Sequence, residues 1–186
     1  MTSTITDRTA LTGSYILDPA HSRLGFVARH AMVTKVRGSF NEFEGTATID
    51  GADPSRSTVS ITIEVASIDT RNAQRDGHLR TNDFLDVEKY PQITFVSTAL
   101  EHDGGDAFRV SGELSIHGVT KSVTFPVEFQ GAATDPFGNQ RIGFEGSLVI
   151  NRKDWGVSWN AALETGGVLV GEKVTLEFEI SAIKQA

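Results

Sequence analysis

The sequence predicts an all-β, single-domain protein of about eight antiparallel strands, closed into a barrel or folded as a two-sheet sandwich. Three observations predict it. Apolar residues recur with period two along most of the chain from Tyr15 onward, the mark of strands that bury one face. Turn signals rich in Gly, Pro and Asp separate those runs. Finally, 186 residues with 39% hydrophobic content can bury one good core and do not require a second.

In chain order, "MTSTITDRTALTG" has no apolar run and reads as a flexible arm over residues 1–13, preceding a domain over 14–186. It also lacks the apolar stretch of a secretory signal, which predicts a cytoplasmic protein. In "LGFVARH", Leu24, Phe26, Ala28 and His30 share a side, and in "VSITIEV" Val59, Ile61, Ile63 and Val65 do the same. Phe108, Val110, Gly112, Leu114 and Ile116 form another face, as do Val119 through Phe129, Ile142 through Ile150, and Val174 through Ala182. "DGADPS", "HDGGD", "HG", "DPFGN" and "TGG" mark the intervening turns. Long runs at 107–116 and 119–130, joined almost directly, favour the barrel over the sandwich.

Two stretches break the rhythm. "TRNAQRDGHLRTNDFLDVEKYP" lacks alternation and predicts one or two short helical segments around 70–89, with Thr70 as an N-cap. "NRKDWGVSWN" at 151–160 reads as a strand end and loop carrying two tryptophans.

Composition narrows the function. A net charge of −7 argues against a nucleic-acid backbone as partner, and the absence of cysteine removes thiolate catalysis, disulfides and thiolate metal sites. No segment approaches the roughly 18 consecutive apolar residues of a membrane-spanning helix. The five histidines are scattered rather than paired at metal-ligand spacing, and the sequence calls for no cofactor. There is no G-x-S-x-G elbow, and "GVLVGEK" only imitates a phosphate loop because Glu172 separates Gly171 from Lys173. Many of the eleven phenylalanines lie in the alternating runs, either as plain core or as the lining of a slender apolar cavity.

Five ordered motifs shift the balance from core toward cavity. "YILDPAHSRLGFVARH", "RGSFNEFEG", "SIDTRNAQRDGHLRTNDFLDVEKYPQITFVS", "GELSIHGVTKSVTFPVEFQG" and "INRKDWGVS" together resemble the YceI-like polyisoprenoid-binding family, from about Tyr15 to Ile183. The resemblance implies a lipocalin-like, eight-stranded antiparallel barrel that binds, transports or stores a long-chain isoprenoid or similar amphiphilic lipid, without catalysis. It implies a lining of Phe26, Phe95, Phe108, Phe125 and Phe144, with Trp155 near an entrance. Trp155 stands where the family commonly has Phe.

For the polar end of a polyprenyl phosphate or quinone-type ligand, the candidates are Arg75, His78, Arg152 and Asp154, with His30 at the rim of its strand. The arginines around 70–89 can also be satisfied by their own acidic neighbours, which would make that segment a brace for one barrel end. Two other functions stay open: an enzyme acting on an isoprenoid lipid through His30, His78 or His117, and a filled barrel serving as a protein-interaction module. Val27, Val96 and Val149 are expected to point outward, which permits a homodimer.

Overall fold

A computed structural model describes residues 8–164 and 166–186. Eleven strands and one α-helix follow one another among these residues: β1 (Gly13–Leu17), β2 (Arg23–His30), β3 (Thr34–Phe40), β4 (Phe43–Ile49), β5 (Thr58–Glu64), β6 (Ile68–Asp69), α1 (Ala73–Leu79), β7 (Gln92–His102), β8 (Ala107–Ile116), β9 (Val119–Thr134), β10 (Gln140–Asn151) and β11 (Val170–Lys184). Eight of them close an antiparallel barrel in the order β1-β4-β5-β7-β8-β9-β10-β11, with β11 returning to β1.

The closure depends on β11 serving two neighbours along one edge. Near its C-terminus, Ala182 to Lys184 pair with Leu17 to Tyr15 of β1. Further back, residues 170–179 pair with β2 instead. The chain changes from one to the other through a 3₁₀ turn at Pro19–His21, where the Asp18 side chain accepts the Ala20 N–H. The strand read at 24–30 therefore exists; it pairs with β11 beyond the stretch that β1 covers, and β3 and then β6 pair on from it.

Alternation on each long strand sorts side chains between barrel interior and solvent. β8 shows it in full: Phe108, Val110, Gly112, Leu114 and Ile116 are buried, and their neighbours are exposed or half-buried. The β8–β9 turn consists of His117 and Gly118, both at positive φ (54° and 74°), the two-residue geometry that matches strand twist. Inside, large and small residues interlock. A Cβ on Gly112 would lie 2.5 Å from both the Phe95 ring and the Val96 carbonyl, so the absent side chain is what gives Phe95 its place.

The arm expected over 1–13 is described only from Arg8 on, and residues 1–7 lie outside the described residues. From Arg8 the chain is docked. Thr9–Leu11 form a 3₁₀ turn, Tyr15 Oη donates to the Leu11 carbonyl at 2.8 Å, and Lys184 Nζ donates to the Ala10 carbonyl at 3.1 Å.

In the charged stretch, only 73–79 is α-helical, and its N-cap is Asn72, whose side chain accepts the Arg75 N–H, rather than Thr70. Thr70 is buried and does another job: its N–H and hydroxyl both donate to Asp76, itself only 7% exposed.

Candidate functional site: an apolar barrel cavity

The interior is not filled by its own side chains. A cavity of about 250 Å³ is lined by inward residues of the eight ring strands, with Leu24 of β2 and Phe40 of β3. Its signature is visible residue by residue. Ile61, Ile63, Val123, Phe125, Leu176 and Phe178 lie on the interior face, yet each remains half-buried because it borders open space. Polar side chains in the lining are confined to Arg8, Asp50, Ser57, Thr58 and Glu177.

A row of rings sets the shape of the cavity. Phe125 meets Phe95 at 5.5 Å and Phe178 at 5.3 Å between centroids, and Phe129 meets Phe144 at 5.4 Å. All five line the cavity. Tilted and edge-on contacts of this kind hold aromatic walls in fixed orientation.

Of the residues named from sequence as ligand contacts, Phe95, Phe108, Phe125 and Phe144 line the cavity; the other seven are not among its lining residues. Phe26 lies 5.7 Å from Phe40 and occupies the space a side chain on Gly38 would take, so it belongs to the β2–β3 extension. His30 is exposed at the end of β2. Trp155 is buried at 4% exposure in the hydrophobic cluster with Leu114 and Ile150, where its Nε1–H donates to the Leu114 carbonyl at 3.0 Å. An indole so buried requires an acceptor for its N–H, and that bond holds Trp155 in the core rather than at an entrance.

Three of the four proposed polar-end residues, Arg75, His78 and Arg152, have local partners. Arg75 Nε donates to Thr70 Oγ1 at 2.8 Å and its Nη2 to the Thr70 carbonyl at 2.7 Å. Arg80 binds the carbonyls of Ala66 and Ile68 in the same way. His78 Nε2 lies 2.8 Å from Asp83 Oδ2, and its ring stands edge-on to Phe84 and Trp159, each at 5.0 Å. The charged stretch thus clasps the backbone at 66–70.

Arg152, 6% exposed, sends Nε, Nη1 and Nη2 to the carbonyls of Gly171, Val157 and Val170. Burial pulls its pKa below the usual guanidinium value, with Glu172 acting in the opposite sense. It pins the loop leaving β10 against the start of β11. Asp154 is exposed beside it.

Three further histidines are likewise engaged locally: His21 with Asp18, His102 with the Gly105 carbonyl, and His117 against the Tyr90 ring. Among the described residues, no group of three or more His, Asp or Glu is arranged to hold a metal ion. No helix there is long and apolar enough to cross a membrane.

Sequence reasoning missed the aliphatic part of the lining and the polar rim. The aliphatic residues carried a signal in the alternation of "VSITIEV" and "VTLEFEI". Arg8 carried none, because it precedes the alternating runs and contacts residues 94 to 98 positions away.

Comparison with known proteins assigns the architecture to a family. The YceI-like domain profile matches residues 15–182, nearly the whole chain. The chain belongs to the YceI-like family. A UPF0312 protein of Staphylococcus aureus is 40% identical over 170 residues, covering 91% of this chain and 95% of its own. A UPF0312 protein of Pseudomonas putida is 34% identical over 178 residues, covering 95% and 89%. Among solved YceI-like folds, Burkholderia cenocepacia BcnA superposes with a TM-score of 0.79 at 28% identity, covering 89% of this chain and 98% of that one. A polyisoprenoid-binding domain from Saccharophagus degradans, implicated in plant cell wall breakdown, shares the fold with a TM-score of 0.70 at 19% identity, covering 92% and 98%.

Proposed function

We propose that this YceI-like protein is a non-catalytic carrier that binds a long-chain isoprenoid, or an amphiphilic lipid of similar shape, with its apolar tail in the barrel cavity. The observation that carries the proposal is the cavity wall: aromatic and aliphatic side chains from every ring strand, with polar groups confined to a few positions. Such a wall rewards desolvation of a hydrocarbon and offers little to a polar substrate. The polyisoprenoid-binding description of the Saccharophagus domain supports the same ligand class.

Size constrains how the ligand sits. A cavity of about 250 Å³, at about 30 Å³ per water-sized group, takes about eight carbon-sized groups. At about 0.8 kcal/mol per methylene their burial contributes about 6 kcal/mol gross, against association costs of several kcal/mol. Tail burial at this volume gives weak binding by itself. Tight binding needs side chains that move aside for a longer tail, a head group that is recognised, or both.

Under the same proposal the carrier works in the cytoplasm, and the exposed Val96 and Val149 form the contact of a homodimer. Fractionation of host cells and sedimentation of the pure protein test these two parts.

The decisive experiment is mass spectrometry of an organic extract of protein purified from its host, quantified against protein concentration. One isoprenoid species near one per barrel is the expected result. A clean extract, together with no uptake of added polyprenyl lipid, would overturn the proposal.

A further inference from the structure

The hairpin joining β2 to β3 presents apolar and basic side chains to solvent together. Met32 and Val33 at its tip are 62% and 75% exposed. The turn holds them there against local preference. Ala31 and Met32 both have positive φ (49° and 61°), a conformation that Asn and Gly adopt far more readily, and the Val33 N–H donates to the His30 carbonyl at 3.1 Å. The segment leading into β11 braces this turn: the Ala31 N–H donates to the Leu169 carbonyl at 2.7 Å, and the Met32 sulfur occupies the space a side chain on Gly167 would take.

Behind the tip the charge is of one sign. Arg29 and Lys35 are cross-strand partners, Arg37 pairs with Val27, and partners across an antiparallel pair share a face. Leu24 and Phe40, a partner pair of the opposite parity, line the cavity, so the three cations stand on the outward face, where all are exposed. Like charges directly opposite each other destabilise a sheet. The chain supplies no answer to them. No Asp or Glu lies between Arg23 and Asn41, and none of the three side chains makes a hydrogen bond or ion pair with another described residue. On the adjacent β11, Glu172 is taken by Lys153 at 2.6 Å and Glu177 by Arg23 at 3.5 Å. Glu164, exposed on the bracing loop, makes no ion pair with them either.

We propose that the β2–β3 hairpin docks the protein on a bilayer surface containing anionic phospholipid. Met32 and Val33 enter the boundary between head groups and acyl chains, and Arg29, Lys35 and Arg37 meet the lipid phosphates. Two locally unfavourable features, an apolar tip held out by a disfavoured turn and an unneutralised pair of cations, both become favourable against such an interface. A basic patch alone would suit any polyanion, and an apolar tip alone would suit a second protein; their combination on one hairpin suits a bilayer. Because the whole chain carries a net charge of −7, an anionic membrane repels most of its surface and accepts it in one orientation. The docking goes beyond the carrier reading and stands on surface residues alone. Leu24 and Phe40, on the same two strands, join the docked hairpin to the cavity wall.

The test is co-sedimentation of the full chain with vesicles of phosphatidylcholine, and of phosphatidylcholine mixed with phosphatidylglycerol, at low and high salt. The wild type is expected to bind the mixed vesicles about tenfold or more tightly than the neutral ones, the difference shrinking at high salt as the charges are screened. Lys35→Glu with Arg37→Glu should abolish that preference. Met32→Asn with Val33→Ser, which suits the turn and removes the apolar tip, should weaken binding to the mixed vesicles by about tenfold in a protein that still folds. Since the chain has no cysteine, Val33→Cys carrying a polarity-sensitive dye gives an independent reading: its emission should move to shorter wavelength when mixed vesicles are added.

Absence of binding, equal binding to both vesicle types, undiminished affinity in either double variant, or unchanged dye emission would each overturn the proposal. So would a wild-type dimer that Met32→Asn with Val33→Ser dissociates, which would give the tip to a second copy of the chain. Should a double variant not fold, the dye decides. The two readings fail separately: an empty organic extract from protein that binds the vesicles as expected overturns the carrier and supports the docking, whereas a loaded barrel that ignores the vesicles overturns the docking alone.

Discussion

The Phe125 ring stands edge-on to that of Phe178, centroids 5.3 Å apart at 72°, joining the wall contributed by β9 to that contributed by β11. Phe178 itself lies where a side chain on Gly146 would be, so its position depends on a glycine of the intervening strand. The width of the cavity is set by rings that can be changed one at a time.

Phe125→Ala is expected to enlarge the cavity and raise the tail length at which isoprenoid affinity peaks. Its cost in stability should be about 3 kcal/mol, the low end for Phe→Ala, because one side of the ring already faces open space. Gly112→Ala should do the reverse, pushing Phe95 inward at about 1–3 kcal/mol of overpacking cost and narrowing the site. Urea unfolding and titration with isoprenoids of graded length measure both effects. Unchanged length preference in both variants would remove the lipid tail from this cavity.

Arg75 and Arg152 separate structural clasping from ligand contact. Each donates to backbone carbonyls or a local hydroxyl, and neither lines the cavity. Arg152→Met, which leaves buried carbonyls without donors, should destabilise by about 3 kcal/mol, and Arg75→Ala by about 1–2 kcal/mol. Lipid affinity of the folded fraction should stay within about twofold of wild type, less than the effect of losing one good hydrogen bond. A tenfold loss of affinity without loss of stability would return these residues to the binding site.

Arg141 makes the barrel sensitive to acid. Its Nη1 donates to Asp18 Oδ2 and its Nε to Asp135 Oδ2, both at 2.7 Å, linking the segment after β1 to the β9–β10 turn. These bonds are the chief reason both carboxyls sit below the usual carboxylate range; further bonds from the 137 and 139 amides and the Asn139 side chain reinforce the effect at Asp135. A carboxyl whose folded pKa is lowered stabilises above the unfolded value, about 3.9, and loses that contribution as pH falls through the folded value. The melting temperature should therefore fall from about pH 4 downward, and Arg141→Met should flatten that part of the profile. Identical profiles for the two proteins would show that this cluster does not govern acid stability.

Much of the architecture was already legible in the chain. Period-two alternation in 108–116 and 174–182 assigns an inside and an outside to β8 and β11, because successive side chains in a strand point to opposite faces whatever the strand pairs with. Alternation put Phe108, Phe125 and Phe144 on apolar faces, the family resemblance marked them and Phe95 as lining, and "HG" marked the tight β8–β9 turn through its demand for positive φ.

Tertiary structure alone decided the rest. That β11 is shared between β1 and β2, one after the other along a single edge, is a matter of strand partners far apart in sequence, to which alternation is indifferent. Whether inward phenylalanines fill a barrel or wall a cavity depends on the volume left between eight strands, which composition does not encode. The partners of Arg75, Arg152 and Arg8 were invisible for a related reason. A long cation binds whichever acceptor the folded backbone brings within about 3 Å, and local sequence offers many such acceptors. Alternation belongs to the strand; closure, cavity and the destination of each guanidinium belong to the fold.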